Sequence, residues 1–281
     1  MFSRISFDKT SMINFWKKWY IYIIIFLIYT PLIFIVLLSF AGQSSRGNIL
    51  DNFNQMTGEN YIEIFKNNEF LNAFMNSILV SIVVVPVSLI IALVTSLGIW
   101  GSNTRIKNTF LNFTKFDIAI PDIISGVTLS VLFSLVWLSL GQNFGYFTVV
   151  VAHISFCTPY AIMAIYPRMS KFKASLIFAS MDLGWSKFKT YINIVIPFLR
   201  SSIITAFVLV TTLSFDDFII TSLVNGNFST IGTTIFESNK GIKAWIVTFG
   251  AIIVIISLTF TIIMMVRKIH IEKKGRKNEK I

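Results

Sequence analysis

The sequence predicts an all-α membrane protein of six transmembrane helices with both termini cytoplasmic. Three observations lead there. Of 281 residues, 54% are hydrophobic and only 13% charged, where soluble domains carry about 25% charged residues; the mean hydropathy is +0.74. Uncharged windows of membrane-spanning length recur along the chain, and Lys and Arg fall on alternate connecting segments. This composition excludes an ordinary cytosolic enzyme, a disordered tail and a nucleic-acid-binding domain, despite a formal net charge of +11.

A transmembrane helix needs about 20 apolar residues. Uncharged windows occur at 19–45, 70–104, 123–167 and 244–266, with shorter ones at 201–215 and 218–236. The 123–167 window is too long for one helix, and Gly141-Gln142-Asn143-Phe144-Gly145 divides it, since two glycines around two amides read as a turn. Only Asp216-Asp217 separates the shorter pair, which predicts one span with the acids at or just inside its far end. The expected spans are 19–40, 74–98, 118–140, 144–167, 198–219 and 245–266. The first apolar stretch has full span length and follows Lys17-Lys18. Cleavable signals have shorter apolar regions of about 7–15 residues, so this stretch is expected to be a retained anchor.

Orientation follows Lys and Arg placement. Arg4, Lys9, Lys17 and Lys18; Arg105, Lys107 and Lys115; Arg168, Lys171, Lys173, Lys187, Lys189 and Arg200; and Arg267, Lys268, Lys273, Lys274, Arg276, Lys277 and Lys280 all fall on one side. Only Arg46, Lys66, Lys240 and Lys243 fall on the other. The chain therefore divides into a cytoplasmic N-terminal segment (1–18), a transmembrane domain (19–266) with a cytoplasmic loop at 168–197, and a basic cytoplasmic tail (267–281). The positive charge is a topology signal and not a nucleic-acid signal, because the aromatic residues sit in the spans rather than among the basic ones.

Pro31, Pro86, Pro121 and Pro159 fall within the expected spans. Membrane helices tolerate proline where neighbours satisfy the freed carbonyls; the kinks suit a protein that opens and closes and occur equally in static bundles. Trp100, Trp137 and Trp245 lie near span ends and read as interfacial belt residues.

The loop at 168–197 predicts two short helices. Gly184 suits a left-handed cap ending the first, Ser186 caps the second, and Pro197 marks its end or the start of the fifth span. Small residues at 179 and 180 would let another protein approach the backbone closely; an amphipathic linker lying on the membrane surface fits the same composition.

Ala179-Ser180-x-x-x-Gly184 with Ile196-Pro197 further on resembles the Glu-Ala-Ala-x-x-x-Gly loop of type I ABC-importer permeases, the MetI-like fold. Pro121-Asp122-Ile123-Ile124, His153-Ile154-Ser155-Phe156-Cys157-x-Pro159, Ala179-Ser180-Met181-Asp182-Leu183-Gly184 and Leu213-Ser214-Phe215-Asp216-Asp217-Phe218 extend the likeness over about residues 20–266. In that order and spacing they resemble the C-type permeases of spermidine/putrescine ABC importers. The sequence departs from the loop pattern where Phe178 replaces the glutamate and Ser180 an alanine.

The resemblance implies a six-helix permease subunit of the bacterial plasma membrane, not itself an enzyme, with no cofactor of its own. It implies a homologous permease partner, two copies of a cytoplasmic ATPase that bind ATP and Mg²⁺, an extracellular binding protein and a polyamine substrate. Ala179, Ser180, Asp182, Gly184 and Pro197 would belong to the loop that couples to the ATPase. Asp122, Ser214, Asp216 and Asp217 would line the substrate path. No Gly-x-x-x-x-Gly-Lys-Ser/Thr sequence occurs to cradle nucleotide phosphates, so ATP hydrolysis is expected on separate chains.

The residues alone leave these roles open. Acids in spans are costly and usually face a pathway or a partner, and a polyamine path needs carboxylates and aromatic faces. Asp216 and Asp217 could equally mark where a span meets water, and Asp122 could serve a helix N-terminus. His153 and Cys157 share a helix face but read as packing rather than as metal ligands. An importer for another solute, an ATP-independent cation channel or carrier, and an intramembrane aspartyl protease are the alternatives; the last lacks a Gly-x-Gly-Asp sequence.

Overall fold

The computed structural model describes residues 9–44, 47–49, 56–238 and 241–278, with side chains over 19–44, 47–49, 56–238 and 241–271. Among the basic residues used for orientation, Arg4, Arg46, Lys240 and Lys280 lie outside the described residues. The helices are α1 (Lys9–Leu38), α2 (Asn60–Glu63), α3 (Asn68–Trp100), α4 (Thr104–Ala119), α5 (Asp122–Val136), α6 (Tyr146–Met169), α7 (Ser175–Asp182), α8 (Lys187–Thr190), α9 (Ile196–Asp216), α10 (Ile219–Val224), α11 (Ile231–Glu237) and α12 (Ala244–Asn278). Six stretches are long and apolar enough to cross a membrane: Trp19–Leu38, Asn68–Trp100, Asp122–Leu140, Tyr146–Met169, Lys187–Asp216 and Ala244–Ile271.

Two spans differ from expectation. The third does not begin at 118. Residues 118–119 finish α4, Ile120 and Pro121 are extended (ψ 131° and 136°), and α5 starts at Asp122. A residue before proline is pushed out of the helical region by the ring, so Pro121 lies between two helices instead of kinking one. The fifth span stops at Asp216, not 219, because Asp217 is extended (ψ 129°). A new helix, α10, begins at Ile219.

One compact unit joins Met1–Asn68 to Ser238–Ile281. Here α1 packs on α12. The segment after α1 is tied back by Asn60, whose Nδ2 donates to the Ser39 and Ala41 carbonyls at 2.9 and 2.8 Å. Trp245 is 4% exposed; it is packed inside this unit and does not stand free at an interface as the sequence suggested.

The other unit, Glu69–Glu237, carries the larger core. Its central pair is α6 against α9. Small residues make the close packing possible: Ala152, Cys157 and Ala161 on α6 and Ser202 and Ala206 on α9 are all buried. Between membrane helices, close van der Waals approach rather than a hydrophobic effect supplies the attraction.

The loop between α6 and α9 is a compact knob. Gly184 ends α7 with φ +85°, and Ser186 Oγ accepts from the Lys189 N–H at 3.3 Å to cap α8. A π-helical turn at Tyr191–Val195 joins α8 to α9 without a break. Pro197 follows it after Ile196; a wider turn there removes the clash between the proline ring and the carbonyl one turn earlier. Pro197 thus sits inside a continuous helix. Ser180 is buried, with Oγ 2.8 Å from Thr190 Oγ1, so of the two small residues only Ala179 faces outward.

Candidate functional site

The acidic pair lies at a discontinuity in a helix. The α9 helix ends at Asp216, the backbone straightens at Asp217, and α10 begins two residues later. Broken helices at membrane depth are tolerated only where protein or a cavity satisfies the freed backbone groups. Here Asp217 does part of this: Oδ1 accepts from Ile220 N–H at 3.3 Å, and Oδ2 accepts from Thr221 N–H at 2.9 Å and Thr221 Oγ1–H at 2.7 Å. The carboxylate caps the short helix α10.

The neighbouring acids point different ways. Asp216 is exposed, whereas the Asp217 side chain is 6% exposed and 3.4 Å from His153 Nε2. Ser214, one turn earlier, is also buried, with Oγ 3.0 Å from His153 Nδ1. His153 is the eighth residue of α6 and follows two full helical turns. The pair therefore lies well inside the helical layer of α6, not at its end.

Two glycines let the flanking helices close on the break. A side chain at Gly232 of α11 would place Cβ 2.7 Å from the Asp217 carbonyl oxygen, and one at Gly126 of α5 would place it 3.2 Å from Ile220 Cα. Phe218 stacks on Phe236, ring centroids 4.7 Å apart.

Asp122 stands at the other break. It is exposed in the first turn of α5, where the helix dipole favours an acid. With Asp117, Ser125, Thr128, Ser155, Phe156 and Tyr160 it lines a cavity of about 210 Å³. Ser155, Phe156 and Tyr160 belong to the middle of α6, so the cavity that Asp122 lines reaches that part of α6. The structure brings Ser214 and Asp217 together and keeps Asp122 in a separate cavity.

Sequence reasoning missed His153 and Thr221 as partners of the acids. Ionisable side chains inside spans are rare, and that rarity was the available signal for His153; nothing marked Thr221. Among the described residues no group of three or more His, Cys, Asp or Glu side chains could hold a metal ion. The loop residues Ala179, Asp182 and Gly184 are exposed together on the knob with Leu176, Phe178, Met181 and Leu183.

No family model matches the chain. It is 39% identical over 272 residues to a "Spermidine/putrescine transport system permease protein PotC homolog" of Mycoplasma genitalium, covering 95% of each chain. A protein of the same description from Mycoplasma pneumoniae is 38% identical over 267 residues, 92% of this chain and 93% of that one. The fold matches a solved bacterial ABC transporter involved in the import of the acidic polysaccharide alginate, with a TM-score of 0.65 at 15% identity over 95% of this chain and 98% of that one. The interrupted six-span fold and the end-to-end likeness agree: this chain belongs to the PotC-type family of ABC-importer permease subunits, multi-pass proteins of the bacterial plasma membrane.

Proposed function

We propose that this subunit forms half of the path by which an ATP-driven importer takes up a polyamine, spermidine or putrescine. The observation that carries the reading is the end-to-end identity with two relatives described as spermidine/putrescine permeases. The site chemistry supports it. A polyamine is an alkyl chain bearing ammonium groups, and two exposed carboxylates, Asp122 and Asp216, stand at separate helix breaks. Aromatic rings of Phe156 and Tyr160 line the cavity of Asp122, and Phe215, next to Asp216 in the chain, packs its ring against Phe74. Asp122 and Asp216 meet the cation, while Ser214 and Asp217 hold the break behind them.

Both termini, the 168–197 loop and the basic tail are cytoplasmic in this reading, with 19–266 as the transmembrane domain. A homologous permease completes the path, and an extracellular binding protein delivers the substrate. Two ATPase subunits bind ATP and Mg²⁺; one docks on the knob through the exposed face around Phe178, Ala179, Asp182 and Leu183. Gly184 and Pro197 fix the knob's geometry and join it rigidly to α9. Closure of the ATPases then moves α9, and with it the break at Asp217, so that the path opens alternately to each side.

Reconstitution of the four-component importer tests this. ATP-dependent uptake of labelled spermidine or putrescine is the expected result. A complex that assembles and hydrolyses ATP yet takes up neither refutes the polyamine assignment.

A further inference from the structure

The His153 ring touches both sides of the broken helix. Its Nδ1 is 3.0 Å from Ser214 Oγ in the last turns of α9, and its Nε2 is 2.8 Å from Thr221 Oγ1 in α10. The ring is fully buried, so no water competes for these contacts, and hydrogen bonds in such surroundings are stronger and more costly to leave unmade.

Counting protons fixes the direction of each bond. Thr221 has one hydroxyl proton, and Asp217 Oδ2 lies 2.7 Å from its oxygen. An ionised carboxylate is an acceptor only. Thr221 therefore donates to Asp217 and must accept from His153, which places a proton on Nε2. With Nε2 protonated, Nδ1 accepts and Ser214 donates to it. A doubly protonated ring would leave the buried Ser214 proton without an acceptor, and buried polar groups are rarely left so. Protonation of Nδ1 alone would oblige Thr221 to donate to Nε2 and leave its close contact with Asp217 without a proton.

We propose that His153 is a positioning residue: in its Nε2–H tautomer it clamps α9 to α10 across their break and, through Thr221, fixes the Asp217 carboxylate. The bonds run one way, from Ser214 to His153 to Thr221 to Asp217, and the proton on Nε2 also faces Asp217 Oδ2 directly at 3.4 Å. Asp217 N–H still bonds the Leu213 carbonyl of α9 at 3.2 Å and the Phe218 carbonyl accepts from Ser222 N–H in α10 at 2.9 Å, so each residue is tied to its own half-helix and α6 adds a tie that touches both. The clamp makes the break a fixed corner that moves with α6, rather than a free hinge. Its importance for uptake rests on the transport reading above; its existence does not.

Two measurements test it. The chain has two histidines, and His270 is exposed on α12, so ¹⁵N-histidine NMR resolves His153 without ambiguity. An Nε2–H tautomer is expected; an Nδ1–H tautomer or a doubly protonated ring overturns the clamp as drawn. This readout needs no substrate. It stands or falls separately from the polyamine assignment, and also if variants fail to assemble.

The second measurement is uptake by a substitution cycle. His153→Asn reaches Ser214 but not Thr221, and His153→Gln reaches Thr221 but not Ser214, so neither spans the break. Each is expected to lower uptake about tenfold and Ser214→Ala alone about fivefold, while Ser214→Ala added to His153→Gln costs less than about twofold more because its bond is already gone. Full additivity, or rescue by either half-bridging variant, overturns the proposal. If the native complex moves no polyamine, the transport reading fails and the tautomer alone decides the clamp.

Discussion

Ser180 Oγ lies 2.8 Å from Thr190 Oγ1, joining the two short helices of the knob, α7 and α8, through buried hydroxyls. The serine that departs from the family's alanine is thus compensated within the chain. Thr190 also donates to the Ser186 carbonyl at 3.1 Å, so its proton has a place without Ser180. Ser180→Ala should therefore lower stability by no more than about 1 kcal/mol, whereas Thr190→Val strands the buried Ser180 hydroxyl and should cost about 1–3 kcal/mol. Thermal unfolding of the purified protein in detergent ranks the two.

Phe178 occupies the family's glutamate position and is 65% exposed. At that exposure, Phe178→Glu should change stability by less than about 0.5 kcal/mol. It should nevertheless weaken co-purification with the ATPase, because an apolar face of Leu176, Phe178, Met181 and Leu183 would acquire a charge at its centre. Unchanged retention of the ATPase would show that this face takes no part in docking.

The glycines separate into those that admit a side chain and those that do not. A Cβ at Gly98 meets nothing within 4 Å, and one at Gly232 meets the Asp217 carbonyl oxygen at 2.7 Å. Gly98→Ala removes backbone entropy from the unfolded chain and should stabilise α3 by up to about 1 kcal/mol. Gly232→Ala must displace backbone at the break and should cost about 1–3 kcal/mol, as overpacking does. The difference between the two melting temperatures is the measurement; equal shifts would mean that the approach of α11 to the break is loose.

Hydropathy windows made the spans legible, because length and the absence of charge are all that crossing a bilayer demands. Thus α1, α6 and α12 lie near their expected positions, and Gly141 to Gly145 turn the chain between α5 and α6. Windows are blind to backbone continuity, which is why both helix breaks were missed. Each left a trace: Pro121 forces the residue before it out of the helix, and the uncharged 218–236 stretch is left over once the fifth span is drawn. Asp216 and Asp217 were legible as candidate residues but not as opposites. A straightened backbone between two helices turns one outward and the other in, and no helical periodicity predicts that. The pairing of His153 with Ser214 and Thr221 depends on packing between α6 and both half-helices, which spacing along one chain does not encode.

The opposite orientations of Asp216 and Asp217 lead to distinct outcomes on removing their charge. Asp122 and Asp216 are exposed and make no side-chain hydrogen bond among those described, so Asp122→Asn and Asp216→Asn should leave stability within about 0.5 kcal/mol of native. If each pairs with an ammonium group, each should lower polyamine uptake about tenfold or more, since a charge-assisted bond contributes about 1.5–3 kcal/mol. Asp217→Asn differs. The amide oxygen can stand for Oδ2, keeping both Thr221 bonds and losing the one from Ile220 N–H, or for Oδ1, keeping the Ile220 bond and losing both from Thr221, because the NH₂ accepts no hydrogen bond. At least one of those contacts is lost whichever way the amide turns, and the protein should be less stable by about 1–3 kcal/mol. Uptake and melting temperature measured on the same preparations separate the cases. Loss of uptake with unchanged melting places a carboxylate on the path, whereas loss of both marks one that holds the break. An Asp216→Asn variant that melts as native and transports as native would remove Asp216 from the path and leave Asp122 as the exposed acid to meet the substrate.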